Sequence, residues 1–233
     1  MTVPEISVVD AGGTMVWRVG RAPDPWAWVD RQYAGHQRWD DANGDFRTIY
    51  VGDSLYACCV EVLAYARPDV DLLAGIDEDP EDAAEFPVQL AGTIPRDWIG
   101  GRMVATATLD GPYADVRAAE TIAALRPQFL RLALRLGYAD FDASALKSAD
   151  PRELTQRVAT HLYALTTDDG ASVVDGVRFA SRHGDALTMW GVFERPGDEP
   201  SSRHLERGEA RLVDVEDPDL HSAMALHRLS WRD

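Results

Sequence analysis

The sequence predicts a single α+β domain with a mixed, mainly antiparallel β core flanked by helices. Three observations predict it. Runs rich in β-branched and aromatic residues recur early (Thr14–Val19, Phe46–Val51) and late (Val177–Arg182, Leu187–Phe193). Helical spacing fills the stretches between them. Neither half looks self-sufficient, and no repeat or low-complexity linker divides the 233 residues, so one domain spans 1–233. Hydrophobic residues make up 45%, enough for a sizeable core.

Thr14–Val19 reads as a strand with Met15, Trp17 and Val19 on one face and Val16 and Arg18 on the other. Arg18 therefore projects among apolar neighbours, as a salt-bridge partner or as an anion ligand. Pro23–Trp28 is a proline-punctuated loop whose tryptophans cover the core or stack on a ligand. Asn43-Gly44 marks a turn before the strand Phe46–Val51.

The next stretch is the most informative. Gly52-Asp53 ends the strand, and Ser54 can cap a helix. Of the twelve residues Leu55–Ala66, eleven are hydrophobic, and Glu61 is the exception. A helix apolar all round is buried, so its carboxylate must be paired, hydrogen-bonded, protonated or facing a cavity. Glu61 shares a face with the small residues Ala57, Cys58 and Ala64, which leaves space above it. A core Glu paired to an Arg and a functional carboxylate both fit this pattern.

Arg67-Pro68 stops the helix. Asp77–Glu85 reads as an acidic solvated loop, Phe86–Ile94 and Gly101–Leu109 as strands, and Ala114–Leu136 as two helices or one kinked at Pro127. Asp150-Pro151-Arg152-Glu153 is a helix start with a capping acid, continued by Leu154, Val158, Leu162 and Leu165 and ended by Asp168-Asp169-Gly170. Gly176–Arg182 and Leu187–Phe193 form a hairpin through His183-Gly184-Asp185. Ala210–Val215 reads as an edge strand, and the tail after Asp217 stays unassigned.

Composition narrows the function classes. A net charge of −16 repels phosphate backbones, so nucleic acid is not an expected partner. No apolar run suits a membrane span, and the N-terminus has no secretory pattern. The adjacent cysteines Cys58 and Cys59 fit a reducing, cytoplasmic setting and argue against a cysteine zinc site. The nucleophile elbow, P-loop and Rossmann fingerprints all fail, and the six histidines show no ligand spacing, so no metal is expected. A homo-oligomer is left open.

What remains is an ordered set: Trp17-Arg18-Val19, Gly35-His36-Gln37-Arg38-Trp39, Tyr50, Glu61, and Asp175-Gly176 leading to Ser181-Arg182. In this order the chain resembles the RES domain family, bacterial toxins named for their Arg, Glu and Ser and often encoded beside an antitoxin. The resemblance covers roughly Thr14 to Arg195, a core of about 14–195 with an extended middle segment of about 67–142. It departs where the family's usual Asn-Pro after Arg-Trp is replaced by Asp40-Asp41.

The resemblance implies a fold similar to ADP-ribosyltransferases and an activity that depletes NAD by phosphorolysis or hydrolysis of its nicotinamide–ribose bond. NAD is then substrate rather than cofactor, inorganic phosphate is a candidate co-substrate, and an antitoxin covers the site. It assigns Glu61 and Arg18 to catalysis, and Arg38, Tyr50, Ser181 and Arg182 to NAD binding. Two other readings keep the pocket: ADP-ribose transfer to a protein, and a non-catalytic module binding a nucleotide or partner.

Overall fold

The structure is a computed structural model that describes residues 5–68, 92–148 and 150–232. Among these an eight-stranded sheet forms the frame. Its strands are β1 (Val8–Asp10), β2 (Thr14–Arg21), β3 (Thr48–Gly52), β5 (Arg102–Leu109), β6 (Pro112–Asp115), β7 (Gly176–Ser181), β8 (Gly184–Phe193) and β9 (Leu205–Leu212). The order is β1-β6-β7-β8-β3-β2-β5-β9. Every neighbouring pair is antiparallel except β6 with β7. The sheet is therefore mixed and mainly antiparallel, within an α+β domain.

Both faces of the sheet are covered. One carries α3 (Ala119–Arg135), α4 (Ala143–Lys147) and α5 (Glu153–Tyr163), which pack Leu125, Phe129, Leu146, Leu154, Val158 and Leu162 against Val177, Phe179 and Phe193. On the other, Trp26 and Trp28 close over Val16, Ile49, Val51 and Trp190, so these tryptophans cover core. The third cluster joins α1 (Leu55–Leu63) to α6 (Pro218–His227), through Leu55, Cys59, Val60 and Leu63 against Leu220, Ala223 and Met224. A short helix α2 (Asp97–Gly100) precedes β5, and β10 (Ser230–Arg232) pairs in parallel with β4 (Thr93–Pro95).

Several expectations shift. The early strand begins at Thr48 rather than Phe46, and the Gly101 strand at Arg102. The stretch from Ala114 opens as strand, and one helix then runs through Pro127. That proline and Ala123, the residue whose carbonyl it leaves without an N–H partner, both lie on the exposed face. Helix α5 starts at Glu153 with Arg152 at its N-cap and no side-chain cap, so Asp150 does not cap it; it ends at Tyr163. The hairpin turns at Arg182-His183, one residue early. The edge strand is Leu205–Leu212, and the unassigned tail supplies α6 and β10. The acidic stretch Asp77–Glu85 and most of Phe86–Ile94 lie outside the described residues; Thr93–Pro95 is strand. No described helix is long and apolar enough to cross a membrane.

Candidate active site

Strand β3 runs almost directly into α1. Ser54 caps the helix by accepting from the Ala57 N–H at 3.2 Å, as its place in the sequence predicts. Gly52 permits the tight approach: a Cβ there would sit 2.9 Å from Cys58 Sγ and 3.3 Å from Ala57 Cβ. This junction fixes the rotation of α1. Its apolar residues meet α6, and Glu61 faces the opposite way, into a cavity of about 980 Å³. Within reach of the same cavity stand Arg18, Arg38, Tyr50, Phe179 and Arg182.

Glu61 has no ion pair or hydrogen-bond partner among the described residues, and its buried Oε1 is left unsatisfied. The sequence left a core ion pair and a functional carboxylate both open. The geometry removes the first.

Arg18 reaches the cavity because β2 and β3 pair at one position only, Trp17 with Gly52. Past that point Tyr50 pairs with Gly191 of β8 but with no residue of β2, and its carbonyl accepts from Arg18 Nη1 at 2.9 Å, while Nε donates to the Pro25 carbonyl at 2.6 Å. Burial pushes the Arg18 pKa down to about 10, which still leaves it charged at neutral pH. Cys58 Sγ donates to the Trp17 carbonyl at 3.0 Å, and burial lifts its thiol to about 12, so it stays protonated.

Arg38 comes from a loop held at many points. Gly35 starts it with a φ of +83°, open to glycine and costly for other residues. Asp40 then gathers the turn: Oδ2 accepts from the His36 and Gln37 N–H groups at 3.0 and 2.9 Å, and Oδ1 from the Tyr50 hydroxyl at 2.8 Å. Tyr50 Oη in turn accepts from the Trp39 N–H at 3.0 Å. Asp41 accepts from Asn43 and Asp45 N–H and from the Thr160 hydroxyl. The two acids standing where the family has Asn-Pro are thus buried turn organisers. Gln156 of α5 ties down the Gly35 and Gln37 carbonyls. Arg38 itself donates to the carbonyls of Leu146, Lys147 and Ala180 and lies 4.9 Å from the Phe179 ring centre. Burial lowers its pKa, and Glu61 opposes the shift.

Tyr50 lines the cavity, but its hydroxyl is committed. Burial first, then Asp40, holds its pKa well above the ordinary tyrosine value. Its work is to position: one end anchors Arg18, the other the Arg38 loop. Ser181 is not among the cavity-lining residues. It is fully buried, and its Oγ accepts from the His183 N–H at 3.0 Å, which shapes the turn that presents Arg182 and His183.

His183, Phe179 and Asp150 line the cavity without being among the site residues expected from the sequence. A lone histidine in a turn and a phenylalanine in a strand carry no motif. His183 meets Arg67 Nη1 at Nδ1 (3.1 Å) and Arg182 Nε at Nε2 (3.3 Å). Both guanidinium groups only donate, and a neutral imidazole has one lone pair. One of the two contacts therefore lacks an acceptor. Burial holds the His183 pKa down, to about 4, so it is neutral at pH 7.

Arg18, Arg38 and Arg182 form no ion pair with any described carboxylate, in a chain with 39 acidic and 23 basic residues. Where acids are in such excess, unclaimed guanidinium groups in a cavity mark a place for a ligand anion. The family model of the RES domain matches residues 15–210.

The chain belongs to the RES domain family. The match covers the sheet from β2 to most of β9 and every cavity-lining residue named above, and α6 and β10 lie beyond it. No curated protein and no solved structure gives a significant match. In this RES domain the Arg, the Glu and the glycine-loop Arg converge on one cavity, and the Ser supports its rim from behind.

Proposed function

We propose that this RES domain is a toxin-type enzyme that cleaves the nicotinamide–ribose bond of NAD, on a fold similar to that of ADP-ribosyltransferases. The observation that carries the reading is the carboxylate of Glu61, without a bonded partner among the described residues, in a cavity where Arg18, Arg38 and Arg182 form no ion pair with a described carboxylate. A volume of about 980 Å³ lies at the upper end of the range for ligand pockets.

The chemistry follows from charge. When the C1′–N bond breaks, its electron pair goes to the pyridinium ring, which leaves as neutral nicotinamide. Positive charge develops on the ribose. A fixed carboxylate beside it stabilises that charge, and because Glu61 sits on a packed helix it need not reorganise. The leaving group needs no proton, so a neutral His183 is adequate. Arg18 completes the reacting end; Arg38 and Arg182 bind the pyrophosphate. Water then gives ADP-ribose, releasing one proton, and phosphate gives ADP-ribose 1-phosphate. An antitoxin that covers the cavity mouth fits the same reading.

The test is to incubate the protein with NAD in phosphate and in a phosphate-free buffer and identify the products by mass. Nicotinamide with ADP-ribose or its 1-phosphate is expected. Labelled ADP-ribose on protein would move the acceptor to a side chain, and tight NAD binding with no product would make the domain a binding module.

A further inference from the structure

A second cavity of about 420 Å³ adjoins the first. Two residues, Arg38 and Phe179, line both. On its own side the second cavity is walled by Trp39, Val116, Ala118, Ala143 and Leu146. Its charged groups are paired internally: Arg117 forks onto Asp115 at 3.0 Å, and Lys147 binds Asp185. The two cavities therefore differ in kind. The first holds Glu61, Arg18, Arg38 and Arg182, which form no ion pair with one another or with another described residue. The second is an apolar slot whose charges already balance one another.

Arg38 stands between them. Carbonyls of Leu146, Lys147 and Ala180 take three of its contacts, and a guanidinium has five N–H groups, so donors remain for an anion. The three carbonyls and the Phe179 ring hold that charge in place.

We infer that the substrate straddles Arg38, with its pyrophosphate on the guanidinium, its reacting ribose beside Glu61, and its adenosine in the slot walled by Val116, Ala118, Ala143 and Leu146. The inference rests on the dinucleotide reading above. A ligand with an anionic middle, one reactive end and one neutral flat end fits the sequence of environments: open and charged, cationic, then apolar. The slot's volume suits a nucleoside.

The experiment separates the two halves of the dinucleotide and needs no turnover. Glu61→Gln protein is titrated with AMP and with nicotinamide mononucleotide by calorimetry. The titrations are repeated with Ala143→Trp, a solvent-facing change at the start of α4 that fills the slot, and with Ala118→Leu on the opposite wall. Thermal melts check that each variant is folded. AMP binding is expected to weaken at least ten-fold in both variants, with mononucleotide binding within about two-fold. Equal weakening of both ligands, or AMP binding unchanged in folded variants, overturns the inference. Nicotinamide release by the wild type is read separately, so the cleavage reading and the adenosine slot can each fail alone.

Discussion

Replacing Glu61 by Gln should stabilise the protein while abolishing its activity, and the sign of the stability change is the informative part. Oε1 is buried without a partner. An unsatisfied buried acceptor costs about 1–3 kcal/mol, more when it is charged. Attraction to Arg38, which feels the carboxylate without bonding to it, offsets part of this. A net gain of about 1 kcal/mol is expected for Glu61→Gln. For a chain of this size that is a rise of roughly 2–4 °C in melting temperature. Glu61→Met, which removes the polar group, should gain at least as much. Had the carboxylate been one half of a buried ion pair, breaking it would cost about 3–5 kcal/mol. Urea titration at constant slope, with melts at matched pH, decides between them. A loss of 3 kcal/mol or more in either variant refutes the assignment of Glu61 as a carboxylate kept free for a ligand.

Tyr50→Phe removes the hydroxyl that bonds Asp40 and the Trp39 N–H, and should cost about 2–4 kcal/mol, since one bond is to a charged group and the buried partners lose their match. It should also raise KM for NAD more than it lowers kcat, because the Arg38 loop loosens; steady-state kinetics at matched stability check this. Lowering the pH should destabilise the fold between about 6.5 and 4. In that window the unfolded His183 takes up a proton that the folded one, with its pKa near 4, refuses. Melting temperatures should fall across the window in wild type and fall less in His183→Gln. His227→Ala removes the bond from Nε2–H to the Val60 carbonyl, one residue before Glu61, and empties a buried ring site. A loss of about 2–4 kcal/mol is expected by urea titration, together with a fall in kcat greater than the rise in KM.

The sequence made the site legible through local rules. Ser54 caps, Gly52 ends a strand, and one acid in an apolar helix has few structural excuses. It could not show whether Glu61 was paired, since that depends on which element crosses its face. It also could not show which atoms of two side chains are already engaged. The Tyr50 hydroxyl meets the Asp40 carboxylate and the Trp39 N–H, and Ser181 Oγ the His183 N–H, and those contacts follow from tertiary placement. Asp40-Asp41, a departure from the family pattern, became intelligible only when both carboxylates were seen collecting the N–H groups of their own turn. Pro127 left two helices or one open, and the single helix Ala119–Arg135 is the second of these. The tail after Asp217 lacks strong periodicity, yet it supplies the helix that backs α1. Its signal lies in packing against Leu55, Cys59 and Leu63.

The most direct measurement compares two constants of Glu61→Gln with those of wild type: its dissociation constant for NAD and its rate of nicotinamide release. If the carboxylate steadies charge that appears only as the bond breaks, release should slow by at least about 10²–10³-fold while NAD binds as tightly or slightly better. Release within a few-fold of wild type, or affinity lost in step with rate, would contradict the account.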